Sequence, residues 1–313
     1  MTRGRDRRDC GRGTISYAIL VHGGVGSSSR LTGACEAVCT HAFAVLEKGG
    51  GALDAAIEAV RLLEDDGRFN AGSGSTLRLD GRTVEMDASV MDSAGRLGAV
   101  MALRNARNPV LVARAVSETP HVALAGLGAD LFARLMGFEP ARPLSERVWK
   151  RHQAMLRFIK EGKLQKKDVR WKATDVRRLW NFAVPYEEVF SADTVGAVAI
   201  DAHGMVAVAN STGGASPMML GRVGDTAIVG AGFYAGEKAA VAATGIGEEI
   251  LRRMLAKTIY DLIQGGQEIS SACEQGIAMF SHAVPVGIIA ISRAGYAIAA
   301  NRRMAACALV KEA

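Results

Sequence analysis

No stretch of the sequence approaches the ~18 consecutive apolar residues of a membrane-spanning helix, so no membrane partner is expected. The N-terminal Met1-Thr-Arg-Gly-Arg-Asp-Arg-Arg-Asp-Cys10 is basic, but the apolar stretch behind it, Ile15 to Val21, is interrupted by Ser16 and ends at His22. That is too short for a secretory core, and a cytoplasmic protein is expected. Cysteine is scarce and odd in number (Cys10, Cys35, Cys39, Cys273, Cys307), with no Cys-X-X-Cys pair. Cys35 and Cys39 share a helix face, but no second pair completes a zinc site, so free thiols in a reducing compartment are expected. The six histidines show no His-Glu-X-X-His spacing, which leaves a metalloenzyme without support. His22-Gly-Gly-Val-Gly-Ser-Ser lacks the Gly-Lys-Ser/Thr ending of a phosphate loop, and Gly72-Ser-Gly-Ser75 is fed by no strand as a nucleophile elbow would be. Aromatics are only 5% of the residues. The net charge of +6 comes from one segment, Arg142 to Arg178, with 13 Lys/Arg against 4 Asp/Glu. Only Trp149, Trp171 and Trp180 accompany that charge, so a solvated basic segment is expected and no nucleic-acid partner.

What the sequence does contain is 49% hydrophobic residues over 313 positions, enough for a sizeable core, and 36 glycines gathered in clusters. Ile15 to Val21 reads as a strand. Leu31, Ala34, Cys35, Val38, Ala42, Val45 and Leu46 recur at helical spacing up to Gly49-Gly50-Gly51. A second helix fits Ala52 to Leu63, followed by a loop from Glu64 to Ser75, strands at Val84 to Met91 and Leu97 to Leu103, a helix capped by Asn108 with Pro109 at its first position, and another near Gly128 to Met136. From Phe138 to Ala192 periodicity fades and a mobile basic linker is expected. Strands follow at Thr194 to Asp201, Met205 to Asn210, Thr226 to Val229 and Ala239 to Ala243. Helices at Ile246 to Gln264 and Glu268 to His282 then lead to strands at Val284 to Ser292 and Tyr296 to Asn301. Helical runs separate from strand runs, which favours α+β with helices outside stacked sheets, folded as one domain over residues 1–313.

With histidine, metal and phosphate chemistry unsupported, hydroxyls remain. Asp193-Thr194 opens an apolar strand directly after the linker. A threonine there is either an ordinary β-branched strand starter or a reactive group. A threonine without a histidine partner becomes a nucleophile when it is the first residue of a chain, because its own α-amine, with a pKa near ~7.7–8.0, can take the hydroxyl proton. That would require the Asp193–Thr194 bond to be cut.

Five segments in order, Asp193-Thr-Val-Gly-Ala-Val-Ala-Ile-Asp201, Asn210-Ser-Thr-Gly-Gly214, Gly221-Arg-Val-Gly-Asp225, Gly230-Ala-Gly-Phe-Tyr-Ala235 and Ala243-Thr-Gly-Ile-Gly-Glu248, resemble the plant-type asparaginase / isoaspartyl peptidase family of N-terminal nucleophile hydrolases. Upstream, His22-Gly-Gly, Ala52-Leu-Asp-Ala-Ala56, Phe69-Asn-Ala-Gly-Ser-Gly74, Glu85-Met-Asp-Ala-Ser-Val-Met-Asp92 and Thr119-Pro-His121 agree. The resemblance implies a four-layer αββα sandwich and a precursor that cuts itself between Asp193 and Thr194 into fragments 1–193 and 194–313. It further implies that Thr194 attacks L-asparagine or isoaspartyl dipeptides, that Thr212 orients it, and that Thr244 and the N–H of Gly245 form the oxyanion hole. Arg222 and Asp225 would take the substrate's α-carboxylate and α-ammonium, a pairing that suits the two charges. Gly247 would let the backbone approach the ligand, and Asn70 would line the site or brace a loop. No cofactor is implied for catalysis. A sodium-binding loop is implied at Leu63, Glu64, Asp66, Phe69, Ala71 and Ser73 through backbone carbonyls, and the implied assembly is a homodimer of processed heterodimers.

The pattern is not followed everywhere. Asp193 stands where the asparaginase type usually has glycine, residues 215–219 (Ala-Ser-Pro-Met-Met) are less polar than the family segment, and Tyr296 to Ala308 matches poorly. Two other readings follow: an unprocessed pseudoenzyme or aspartyl-binding module, and a glycosylasparaginase- or threonine-aspartase-like specificity.

Overall fold

The computed structural model describes residues 8–78, 80–141, 145–160, 194–215 and 218–313. Its strands are β1 (Arg8–Arg12), β2 (Ile15–Val25), β3 (Met86–Asp92), β4 (Leu97–Leu103), β5 (Ala123–Ala125), β6 (Thr194–Ile200), β7 (Val206–Thr212), β8 (Phe233–Ala235), β9 (Ala239–Gly245), β10 (Val286–Ser292), β11 (Gly295–Ala300) and β12 (Met304–Glu312). Its helices are α1 (Thr32–Glu47), α2 (Ala52–Asp66), α3 (Pro109–Val116), α4 (Gly126–Leu135), α5 (Glu146–Lys160), α6 (Gly247–Arg253), α7 (Leu255–Gln264) and α8 (Ile269–Ala278).

The strands make two sheets. One runs β12-β2-β6-β7-β3-β4-β5, antiparallel except for the β4–β5 pair, and the other runs β1-β11-β10-β9-β8, antiparallel throughout. Helices α1 to α4 cover the outer face of the first sheet, and α7 and α8 cover that of the second. The result is the αββα sandwich that the separation of helical and strand runs favours.

Side-chain alternation explains the layers. Along β6, Val195, Ala197 and Ala199 pack towards the helices, while Val198 and Ile200 join Leu20, Val206, Val208, Ala242, Ile289 and Phe233 between the sheets. A strand buried on both faces has to be apolar at consecutive positions, as this one is. Each fully buried Ile, Leu or Phe contributes about 1.5–3 kcal/mol to holding the layers together. Thr194 has the parity of Val198 and therefore faces the opposite sheet. Strands from both sides of Thr194 interleave in the larger sheet, where β6 and β7 lie between β2 and β3.

Several elements differ from the sequence-based expectation. Thr226 to Val229 forms turns and not a strand: Ile228 N–H and Gly232 N–H both bond to the Asp225 carbonyl, which curls the chain. The helix expected over Ile246 to Gln264 is two, broken at Met254, whose φ of 45° is left-handed. Asn108 precedes α3 without a side-chain capping bond; its amide instead reaches the Asp65 carboxylate at 3.4 Å. The start of the segment read as a linker contains α5, which is docked by buried Val148 and by Arg151 donating to the Gly74 carbonyl at 2.6 Å. Residues 161–193 of that segment, Asp193 among them, lie outside the described residues. No helix among the described residues is long and apolar enough to cross a membrane.

Candidate active site

Register places the three threonines. Thr194 opens β6 directly opposite Thr212, the last residue of β7, and their hydroxyls lie 3.2 Å apart. Both are buried, at 8% and 2% exposure. Thr212 Oγ1 also accepts from the N–H of Gly214 at 3.0 Å, so the hydroxyl is fixed from its far side and orients towards Thr194. Thr244 lies near the end of β9, where residue parity turns it, like Ala240 and Ala242, to the inter-sheet side. Its Oγ1 accepts from Val25 N–H at 3.4 Å; a hydroxyl that accepts still carries a proton to donate. Gly245 follows as the last residue of β9, paired with Val286.

Gly247, the first residue of α6, shows how close the binding groups stand. A Cβ there would sit 2.7 Å from Nη2 of Arg222 and 2.8 Å from Oδ1 of Asp225, so only glycine admits both side chains beside this backbone. Asp225 is 4% exposed, and its Oδ2 has no hydrogen-bond partner. Burial pushes its carboxyl up to about 7, against the pull of Arg222. A buried carboxylate oxygen without a partner is costly, and a bound cation would satisfy it. Arg222 is held by Glu248, with Nη2 2.9 Å and Nε 3.0 Å from Oε1. Glu248 lies within a segment that carries the family resemblance, and its only signal in the sequence is a carboxylate one residue beyond Gly247.

Asn70 does not simply line the site. It ties the loop after α2 to the segment behind Thr212: Nδ2 donates to Gly214 O at 2.7 Å, Oδ1 accepts from Thr76 N–H and Oγ1 at 2.9 and 2.8 Å, and its own carbonyl accepts from Gly213 N–H at 2.8 Å. Nearby, His22 Nδ1 accepts from Gly24 N–H at 3.2 Å, which leaves the proton of the neutral ring on Nε2. Burial pushes this imidazole down to about 3, so it stays neutral. Its Nε2 and the Asn210 Oδ1, neither with a partner, converge over Gly196, two residues along β6 from Thr194.

In the loop of the expected sodium site, backbone carbonyls pack closely on two glycines. A Cβ on Gly74 would collide with the Phe69 carbonyl oxygen and lie 2.8 Å from that of Gly67, and one on Gly72 would lie 2.6 Å from that of Glu64. Ser73 Oγ donates to the Glu64 carbonyl at 2.8 Å, which uses one of that oxygen's two lone pairs. Leu63, Phe69 and Ala71 are buried around the loop, and the Asp66 side chain is engaged by Arg68. Backbone carbonyl oxygens are the donor set a hard cation takes, and of the implied six those of Glu64 and Phe69 lie against these glycines. Among the described residues no cluster of three His, Cys, Asp or Glu side chains offers an alternative metal site.

The family model described as asparaginase matches residues 15–313. The chain is 42% identical to the plant-type L-asparaginase of Pyrococcus abyssi, over 94% of this chain and 96% of that one. It is 39% identical to the isoaspartyl peptidase of Escherichia coli, over 82% of this chain and 80% of that one, and 39% identical to the isoaspartyl peptidase/L-asparaginase of Rattus norvegicus, over 82% and 74%.

Proposed function

The chain belongs to the asparaginase family, and from that premise we propose that it hydrolyses L-asparagine and isoaspartyl dipeptides through an ester on Thr194. It is an amidohydrolase of β-aspartyl amide bonds. The observation that carries the assignment to Thr194 is its 3.2 Å contact with the Thr212 hydroxyl at the mouth of the inter-sheet layer.

Thr194 first has to become a chain terminus. Its Oγ attacks the carbonyl carbon of Asp193, the C–N bond between the two residues breaks, and the nitrogen takes the hydroxyl proton. Water then opens the resulting ester, leaving a carboxylate on Asp193 and a free α-amine on Thr194. That amine, with an unperturbed pKa near ~7.7–8.0, is the base for turnover. The fragments 1–193 and 194–313 stay associated because β6 and β7 remain bonded between β2 and β3.

In turnover Thr194 Oγ attacks the substrate's side-chain amide carbon as the amine accepts its proton. Charge developing on the carbonyl oxygen is met by the Thr244 hydroxyl and the Gly245 N–H. The amine protonates the departing ammonia or amino acid, and water releases aspartate from the ester. Arg222 takes the substrate α-carboxylate, and Asp225 takes the α-ammonium, the cation its unpartnered oxygen calls for. Catalysis needs no cofactor. A sodium ion held by the carbonyls of Leu63, Glu64, Asp66, Phe69, Ala71 and Ser73 would stiffen the loop beneath Asn70, with no part in the chemistry. Reduced cysteines, three of them buried, suit a cytoplasmic setting, and the assembly proposed is a homodimer of processed heterodimers.

The test is release of aspartate from L-asparagine, an isoaspartyl dipeptide and a polypeptide compared side by side. Turnover of the first two alone is expected. Turnover of the polypeptide alone would move the chain to a threonine-aspartase-like specificity, and release from none would leave an aspartyl-binding module.

A further inference from the structure

The turn Gly221–Thr226 carries both substrate-binding side chains, yet it contains two glycines, one of them in left-handed backbone with a φ of 77° at Gly221. A turn of this composition has much conformational freedom, so its order has to come from outside. Three polar residues spaced two apart supply it from one side. Glu85, just before β3, accepts from Gly221 N–H at Oε2 (2.8 Å). Asp87 accepts from Gly224 N–H at Oδ2 (3.5 Å). Ser89 donates from Oγ to the Thr226 carbonyl at 2.6 Å. Asp87 and Ser89 face the inter-sheet side, opposite in parity to Ala88 and Val90, which pack under the helices.

These residues are themselves anchored. Burial opposes charge on Glu85, but the Gly221 N–H together with Arg104 and Arg78 holds its carboxyl below the ordinary range. Arg104 Nη2 lies 2.7 Å from its Oε1. Arg78, fully buried, donates to Glu85 Oε2 (3.2 Å), to the Glu85 carbonyl (2.6 Å) and to the Gly213 carbonyl (2.8 Å), one residue beyond Thr212. Asp87 Oδ1 accepts at 2.8 Å from Ala102 N–H, a residue in left-handed backbone (φ 51°) where β4 carries a bulge. In register Asp87 is opposite Thr212, and Thr212 is opposite Thr194. Thr194 and Asp87, the residue that braces the turn at Gly224, are thus two interstrand spacings apart, roughly 10 Å at about 4.8 Å each.

We propose that Glu85, Asp87 and Ser89 are positioning residues that set the distance between the Arg222/Asp225 pair and Thr194, and so fix which length of ω-amide the site accepts. This rests on the functional reading above. The grip determines affinity for the α-groups and leaves the attack at Thr194 largely alone, because none of the three touches a hydroxyl of the threonine set.

The experiment uses the full chain with Ser89→Ala, Asp87→Asn and Glu85→Gln, assayed on L-asparagine and L-glutamine, with hydrogen exchange read at Gly221 and Gly224. The expected results are a KM for L-asparagine raised about tenfold or more with kcat within about threefold, a narrower ratio of kcat/KM between the two amides, and faster exchange at the two glycines. Ser89→Thr, which keeps the hydroxyl, should restore KM to within about twofold. Unchanged KM despite faster exchange, or an equal loss of kcat and kcat/KM in all three variants, overturns the proposal. Exchange that stays slow in Asp87→Asn and Glu85→Gln overturns it whether or not the chain is active. Inactivity of the unsubstituted chain on every β-aspartyl substrate instead marks the failure of the functional reading.

Discussion

The two ends of the inter-sheet layer are built by the same strands, on the same faces, at nearly the same burial, and differ in residue type. β6 passes from Ile200 and Val198 to Gly196 and Thr194, β7 from Val206 and Val208 to Asn210 and Thr212, and β9 from Ala240 and Ala242 to Thr244. β2 likewise runs from Ala18 and Leu20 to His22, and β3 from Met91 through Ser89 to Asp87. One end is an apolar joint; the other holds hydroxyls, an imidazole and carboxylates in the same closely packed framework. Burial in both places means that polar side chains at the second end are held as rigidly as methyl groups at the first, which is what preorganised chemistry needs.

This contrast can be broken most severely at Thr194. Thr194→Ala is expected to lower asparagine hydrolysis by about 10⁴-fold or more, measured as ammonia release, while its thermal unfolding stays near that of the unsubstituted chain. Next in size is Asp225→Asn, which removes the anion from the proposed ammonium site and should reduce kcat/KM by about 10²- to 10³-fold, the loss falling mainly in KM. A smaller effect follows from pH. With its folded-state carboxyl pushed up to about 7, Asp225 is charged above that value and neutral below it. On the proposed role, substrate ammonium binding is expected above about 7 and should be lost as pH falls. On a pH profile, kcat/KM for L-asparagine should drop by one more factor of roughly ten per unit below 7 than it does for succinamate, which lacks the ammonium. Parallel profiles would remove Asp225 from that role. The smallest change belongs to the apolar end: Ile200→Val should cost about 0.5–1.5 kcal/mol in denaturant unfolding and leave kcat/KM within about twofold. A large loss of activity there would erase the division between the two ends.

Much of this was legible before any coordinates. β2, α1, β4 and β6 follow from period and punctuation, because long apolar stretches in a two-face-buried strand and a glycine stop after a helix are local signals. The edge elements were not. β1, β5 and β8 are short and exist through pairing with β11, β4 and β9, and β12 is half-exposed along much of its length, so none carries a strong pattern of its own. Thr226 to Val229 has strand-like composition but is pulled into turns by the neighbouring Asp225 carbonyl and by Ser89, a partner distant in sequence. The break at Met254 has no local breaker residue.

At the site, the threonines and the Arg222/Asp225 pair were recognisable only as a set, since each alone reads as an ordinary strand or surface residue. Asn70 carried two readings, and its side-chain bonds are those of a loop brace. Glu85, Asp87 and Ser89 stand out in the sequence only as part of a segment that carries the resemblance, although they are polar at every second position into a largely buried strand. That pattern needs partners, and the turn at Gly221–Thr226 provides them.

Intact mass of fresh and aged protein, run beside Thr194→Ala, addresses the central claim most directly. The account predicts conversion of the unsubstituted chain into fragments 1–193 and 194–313 while the variant stays whole. A chain that remains whole yet turns over asparagine, or a variant cut at the same bond, would contradict it.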